Sequence, residues 1–284
     1  MSLVESLDEA VRNRRHEVSE TVAKQYHTSV RAVLASADGK KPRIIGSCML
    51  LRLDGRNYVV TAAHIADELD ANALYISGTV GAEIVQLVGV IRKTAPPPGG
   101  RGRDKIDIAF WEIDTQKIQA LGDVVFIGES QFSMNRAPLK NRLYLAAGYP
   151  FSRNKKNVNN IAKSIKPSLS KYTAELTEDP AVAQEYGVSG TQHLFLKYQK
   201  FSETGSGEKQ KTFSPVGLSG GPLIDLGNFA SPERYVAGAA VTGYIAGMTI
   251  ELIRKYNVLV AVRTQVIVEA IRLRETPDQA RQRG

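Results

Sequence analysis

The apolar positions of this chain change period twice. Over residues 2–35, Leu3, Leu7, Ala10, Val11, Val18 and Val22 recur at three- and four-residue spacing, the repeat of a single helix face. Ser2 followed by Glu5 has the form of a capping box at its start. After Ala37-Asp38-Gly39 the pattern becomes that of strands. Residues 44–53 are rich in β-branched and apolar side chains, Asp54-Gly55 is a two-residue hairpin signal, and Tyr58-Val59-Val60-Thr61 reads as the returning strand. Further short strands are expected at 74–76, 84–91, 106–113, 124–127, 143–147, 173–176, 193–198, 222–224, 235–241 and 258–262. A last helix starts at Thr264 as N-cap and carries Ile267, Ala270 and Ile271 on one face, with Pro277 as its limit.

Many short strands between two terminal helices predict an all-β core of two six-stranded antiparallel β-barrels. The expected boundaries are a helical extension over 1–40, a first barrel over 41–135, a second over 136–263, and a helix and tail over 264–284. Polar runs between 154 and 212, above all 202–211, read as long surface loops inserted into the second barrel.

With 284 residues, 43% of them hydrophobic, the chain can fill cores of this size. A charged fraction of 23% argues against disorder. No apolar run reaches the roughly 18 residues of a spanning helix; residues 236–248 come nearest and are broken by Gly238, Gly243 and Gly247. The first residues lack the basic-then-apolar layout of a leader. Cys48 is the one cysteine, so no internal disulfide can form. The expectation is a reducing compartment, the cytoplasm, with Cys48 as a small buried strand residue. A net charge of +8 permits an anionic partner. The basic residues are scattered, however, and no aromatic side chains interleave with them, so neither nucleic acid nor a membrane is the expected partner. Four dispersed histidines and one cysteine give no metal-ligand spacing, and neither metal nor cofactor is expected.

Three segments carry chemistry. Val59-Val60-Thr61-Ala62-Ala63-His64 runs a strand into small residues and ends on a histidine. Asp107-Ile108-Ala109-Phe110-Trp111 opens an apolar strand with an aspartate, which is costly to bury unless hydrogen-bonded; an imidazole N–H is one such partner. Gly217-Leu218-Ser219-Gly220-Gly221-Pro222 surrounds a serine with glycines. Glycine permits the tight path that exposes a hydroxyl and lets the amides of Gly217 and Ser219 point at one spot. Each segment alone has a plain structural reading: a partly buried histidine, a turn aspartate at a strand end, a glycine-rich turn. His16 and His27 fall on the first helix, His193 in a later strand without such a setting, and Asp104 reads as a solvated acid in a basic loop.

Taken together, Thr61-Ala62-Ala63-His64, Asp107-Ile108-Ala109 and residues 217–222 resemble the trypsin-like serine peptidase family of chymotrypsin fold. In character the chain is most similar to the disulfide-free bacterial HtrA-like members, here without a PDZ domain. The order His, Asp, Ser is the family's, and the long interval before Ser219 implies an insertion between Asn154 and Thr212. The Gly148-Tyr149-Pro150 step looks like the loop that opens the second barrel in the bacterial members. The resemblance implies a serine endopeptidase acting on protein or peptide, with Ser219 as nucleophile, His64 as general base and Asp107 fixing the His64 tautomer. It also implies an oxyanion hole from the N–H groups of Gly217 and Ser219. Phe213 would be the floor of the primary pocket and Thr242 and Gly243 its wall, which favours a small or medium apolar residue before the cleaved bond. Leu218 stands where many secreted members carry an aspartate that pairs with a new N-terminal amine. Activation by that cleavage is therefore not expected, and the loop would be ordered by the N-terminal helix, the insertion or a regulatory protein partner. The alternative is a catalytically inactive protease-fold module for binding or scaffolding, against which the intact His64, Asp107, Ser219 and Gly217 speak.

Overall fold

The computed structural model describes residues 6–37, 42–78, 84–133, 141–155, 158–159, 164–187, 190–203, 207–235 and 239–281. Helix α1 (Leu7–Tyr26) is capped by Ser6, whose hydroxyl accepts the Glu9 N–H; the Ser2–Glu5 pair lies outside the described residues. The helix does not run to residue 35 as its pattern suggested. It ends at Tyr26, and β1 (Val30–Ser36) follows with every residue buried. A strand covered on both faces shows no polar alternation, so its apolar run reads equally well as buried helix.

The remaining strands of the first sheet are β2 (Arg43–Leu53), β3 (Arg56–Ala62), β4 (Ala73–Ile76), β5 (Val85–Gln86), β6 (Ile91–Lys93) and β7 (Ile108–Glu112), in the order β5-β4-β1-β2-β3-β7-β6. Asp54 and Gly55, both at positive φ, make the hairpin turn between β2 and β3, as a two-residue turn of the primed type requires. The second sheet contains β8 (Arg142–Gly148), after which β9 (Val158–Asn159) and β10 (Ser164–Ile165) form a small separate hairpin. It continues with β11 (Ser170–Glu175) and β12 (His193–Lys197), while β13 (Phe201–Glu203) and β14 (Lys209–Lys211) pair apart from it. Then come β15 (Pro222–Asn228), β16 (Tyr244–Ile253) and β17 (Val258–Arg263), giving the order β11-β8-β15-β16-β17-β12. Its two edges meet through the Leu176–Leu196 bridge and the Thr177 N–H to Phe195 O bond of 2.7 Å, so this sheet curls onto itself. Four short helices, α2 (Ala63–Ala66), α3 (Thr115–Ala120), α4 (Phe151–Asn154) and α5 (Pro180–Tyr186), lie in the connections, and α6 (Thr264–Arg281) closes the chain, continuing past Pro277.

Two curled antiparallel sheets with a helix at each end are the all-β architecture expected from the strand pattern, with seven strands rather than six in the first. The period-2 geometry of strands explains how one chain fills three cores. Cys48, Leu50 and Val59 point into the curl of the first sheet, whereas Met49, Leu51, Tyr58 and Val60 point out of it. In the second sheet Tyr144, Ala146, Leu259 and Ala261 point inward, and Leu143, Leu145, Val258 and Val260 outward. The two outward faces share one core with Val18, Val22 and Tyr26 of α1 and Ile267 and Ile271 of α6. Both faces of the central strands are therefore apolar, and no solvent-facing row remains.

Three expected strands are different in the structure. Residues 84–91 contribute only β5 and the first residue of β6. Residues 124–127 form no strand; Ile127 bridges Leu51, and Phe132 beyond it bridges Ile245 of the second sheet, so this segment is the crossing between sheets. The strand placed at 235–241 lies later, as β16, with Pro232–Tyr235 in a 3-10 turn. Residues 236–238 are outside the described set. Gly247 masked this strand. A Cβ there would lie 2.3 Å from Val262 O, the close backbone approach for which strands use glycine. Among the described residues no helix is long and apolar enough to cross a membrane.

Besides its apolar face, α1 is docked by Tyr26, whose buried hydroxyl donates to Gly243 O at 2.6 Å. Tyr26→Phe removes that donor from a buried carbonyl and is expected to cost about 1–3 kcal/mol. Urea unfolding checks this: the midpoint falls with the slope unchanged.

Candidate active site

Pairing of Ala62 with Ile108 and Thr61 with Ala109 brings the end of β3 beside the start of β7. His64 follows on α2, which has no side-chain cap of its own at Ala62. Its first N–H groups need acceptors, and Asp107 supplies them: Ala63 N–H donates to Asp107 O and His64 N–H to Asp107 Oδ1, both at 2.9 Å. The other carboxylate oxygen, Oδ2, is 2.6 Å from His64 Nδ1. An ionised carboxylate only accepts, so the ring N–H is the donor, which leaves Nε2 as the ring's free basic atom. The Asp107 side chain is 7% exposed and that of His64 37%; one is set in the wall and the other faces solvent.

Asp107 has φ +48°, a left-handed conformation that costs a non-glycine residue roughly 1–2 kcal/mol. It is held there by Asp104, whose Oδ1 accepts the N–H groups of both Ile106 and Asp107 at 3.0 Å. Asp104 is thus not the solvated acid that its basic neighbours suggested: its side chain is 6% exposed. Asp104 Oδ2 accepts from Thr94 Oγ1 at 2.5 Å and Arg101 at 2.6 Å, and Arg101 Nε reaches Asp67 at 2.7 Å. Lys93 Nζ adds a contact of 2.6 Å to Asp67, the C-cap of α2. Burial alone would push the Asp67 carboxyl up, but hydrogen bonds from Arg101 and Lys93 outweigh it and hold it below the ordinary carboxylate range.

Ser219 lies on irregular backbone between the sheets. Leu218 N–H donates to Pro215 O at 2.8 Å and Gly217 has φ +101°, the combination of a type II turn with glycine at its third position. Phe151 N–H holds Val216 O at 2.9 Å. The C=O and N–H of one trans peptide point in opposite directions, so the Gly217 N–H is turned away from Phe151. A Cβ on Gly217 would lie 2.7 Å from Tyr149 O. Leu218 is buried among Tyr172, Tyr198 and Leu223, which anchors the turn through apolar contact. The Ser219 hydroxyl donates to Ile250 O at 2.8 Å, and so not to His64.

The histidine and serine segments meet at Gly46. A Cβ there would be 2.8 Å from Ile65 Cδ1 and 3.2 Å from Ser219 O. Glu251, next to Ile250, lies within the field of both His64 and Asp107; burial pushes its carboxyl up, against the pull of Lys105 3.7 Å away. Glu251 was not singled out from the sequence; its one signal there is an acid inside the apolar run Ile250-Glu251-Leu252-Ile253. Thr242 and Gly243 do not form a wall beside Ser219. They precede β16 on the side of α1, where a Cβ on Gly243 would be 2.5 Å from Val22 Cγ1. The segment of β16 beside Ser219 is Thr249–Glu251, which follows from the later start of that strand. Phe213 is half-buried against the Tyr172–Leu218 cluster, with its carbonyl held by the Tyr198 hydroxyl. His193 is buried, with Nε2 2.6 Å from Lys105 O, while His16 lies on α1 and His27 is its C-cap. Cys48 is buried, its thiol pushed up to about 12 by desolvation, which leaves it unreactive.

No protein-family model matches the chain, and no curated protein matches it. Among solved structures, the serine endoprotease from Yersinia pestis is similar at TM-score 0.49 and 14% identity, over 94% of this chain and 66% of that one. The Rv3671c protease in its inactive form is similar at TM-score 0.47 and 12% identity, over 90% and 93% of the two chains. A structure from work on the Sesbania mosaic virus VPg protein is similar at TM-score 0.46 and 14% identity, over 84% and 87%. These are likenesses in the course of the backbone.

Two outcomes follow from this geometry. Gly220 has φ +85° and a Cβ there would lie 2.0 Å from Ser47 O, so Gly220→Ala should destabilise by at least about 1–3 kcal/mol. Gly102, where a Cβ meets nothing within 4 Å, is the control, and Gly102→Ala should leave the urea midpoint near wild type. Asp67, held low in the folded chain, binds fewer protons folded than unfolded, so its stabilisation grows with pH through that interval. It is present above roughly pH 4 and lost as pH falls through the folded value. The stability difference between wild type and Asp67→Asn should therefore be largest at neutral pH and shrink in acid; a constant difference would contradict the assignment.

Proposed function

We propose that this chain is a serine endopeptidase that hydrolyses peptide bonds through His64, Asp107 and Ser219. The observation that carries the reading is the double engagement of Asp107 with His64, at backbone N–H and ring Nδ1, which leaves Nε2 to take a proton. Ser219 Oγ attacks the scissile carbonyl as His64 Nε2 accepts its proton, and the same proton passes to the leaving amine as the C–N bond breaks. Water then repeats the sequence on the acyl-enzyme, releasing the acid and regenerating Ser219. The N–H groups of Gly217 and Ser219 stabilise the oxyanion, the type II turn at Gly217 supporting this role. For the first step the Ser219 hydroxyl must rotate from Ile250 O toward His64. Phe213 and Leu252, both packed on the Tyr172–Leu218 cluster, give the primary pocket an apolar lining and favour an apolar residue before the cleaved bond.

A second reading, an inactive protease-fold module for binding or scaffolding, is favoured by one observation, the bond of the Ser219 hydroxyl to Ile250 O. Hydrolysis of an unstructured peptide library separates the two. Wild type should cleave, and Ser219→Ala should lose on the order of 10⁴–10⁶ in rate without loss of stability. Undiminished turnover in the purified variant would remove Ser219 from the chemistry, and folded wild type without turnover would leave the binding module.

A further inference from the structure

We propose that Asp104 is a positioning residue for the Asp107–His64 pair, and that with Arg101 and Asp67 it closes a ring holding both segments in register. The proposal rests on the reading of His64 and Asp107 as reacting groups. The ring can be traced bond by bond. His64 binds Asp107 Oδ2 at 2.6 Å, and the Asp107 N–H donates to Asp104 Oδ1 at 3.0 Å. Asp104 Oδ2 receives Arg101 at 2.6 Å, and Arg101 Nε continues to Asp67 at 2.7 Å. Asp67 is the C-cap of α2, the four-residue helix that carries His64, and so returns the ring to its start.

Each member has its own part in the ring. Asp107 sits at positive φ, and left to itself an aspartate relaxes toward extended backbone. Asp104 prevents this by accepting two successive N–H groups from the turn. Its other oxygen is fixed by Thr94 and Arg101, so the acceptor cannot swing away. Arg101 spans two carboxylates with different nitrogens, Nε and Nη2 to Asp67 and Nη1 to Asp104, which the planar fork of guanidinium allows and an ammonium does not. Thr94 Oγ1 also accepts the Ile108 N–H at 3.2 Å, tying the same cluster to the first residue of β7. The consequence is that the distance between the Asp107 carboxylate and the His64 ring is set by residues that touch neither the ring nor a substrate.

The test uses two readouts on the full chain, the rate at which a fluorophosphonate labels Ser219 and the far-downfield proton resonance of the His64 Nδ1–H. Asp104→Ala, shown to be folded by circular dichroism, should label on the order of 10²-fold more slowly, the scale of an ångström of misplacement, and its Nδ1 resonance should move or vanish. A merely stabilising role would lower the unfolding midpoint and leave both readouts in place, and that result would overturn the proposal. Where Asp104→Ala does not fold, Arg101→Lys decides: slower labelling with a shifted resonance supports the ring, and both unchanged overturns it. If wild type takes no probe, the proposed chemistry has failed, and the Nδ1 resonance alone, compared between wild type and the variant, still decides whether Asp104 positions the pair.

Discussion

Residues 217–221 pass between the two sheets as irregular backbone, buried except for part of Ser219. Interior backbone without secondary structure is tolerable only where its polar groups find partners. Two buried hydroxyls, of Ser47 and Thr249, supply them, and a third, of Thr61, steadies Ser47. Ser47 Oγ donates to Gly217 O at 2.7 Å and accepts the Tyr149 N–H at 2.8 Å, which binds the loop to β2 and to the end of β8. Thr249 Oγ1 reaches Leu218 O at 2.6 Å and Gly221 O at 3.0 Å from β16, and Thr61 Oγ1 fixes Ser47 O at 2.7 Å from β3. Backbone completes the set, Ser47 N–H to Ser219 O and Gly220 N–H to Thr249 O. The serine is thus held by both sheets at once, and its place follows from the sheets being in register with each other.

The same economy governs the other half of the site. Four-residue α2 cannot hold itself by helical bonds alone, and its start is secured by Asp107, the residue that also orients His64. Local strain at Asp107 is sustained by the surrounding hydrogen bonds rather than by its own preference. Rigidity here comes from groups that converge from distant parts of the chain, so that each piece is set by tertiary structure and none by propensity.

That distribution explains what could be read from the residues and what could not. His64, Asp107 and Ser219 each sit in a short local motif, and the small residues and glycines around them are visible without knowledge of the fold. Asp104 reads as solvated because Arg101, Arg103 and Lys105 beside it look like a basic loop; what changes its meaning is that Arg101 folds inward to bridge it to Asp67, the C-cap of α2 and distant in sequence. Strand β16 was hidden by Gly247 and by the register shift between Thr249 and Glu251. A wall beside Ser219 is accordingly expected at Thr242 and Gly243, whereas the part of β16 next to Ser219 is Thr249–Glu251. β1 reads as helix in the sequence because burial on both faces erases the alternation that marks a strand. Local chemistry was legible; register, and with it every contact that depends on which residues face each other, was not.

In the proposed chemistry Ser219 is a nucleophile whose hydroxyl leaves Ile250 O on engaging substrate, and the Gly217 and Ser219 N–H groups receive the oxyanion. A crystal structure of the protein treated with a peptide boronic acid tests this most directly. The expected result is boron bonded to Ser219 Oγ, an adduct oxygen within hydrogen-bond distance of both N–H groups, and Ile250 O released. Folded protein at saturating boronate with Ser219 still donating to Ile250 O, and no adduct, would contradict it.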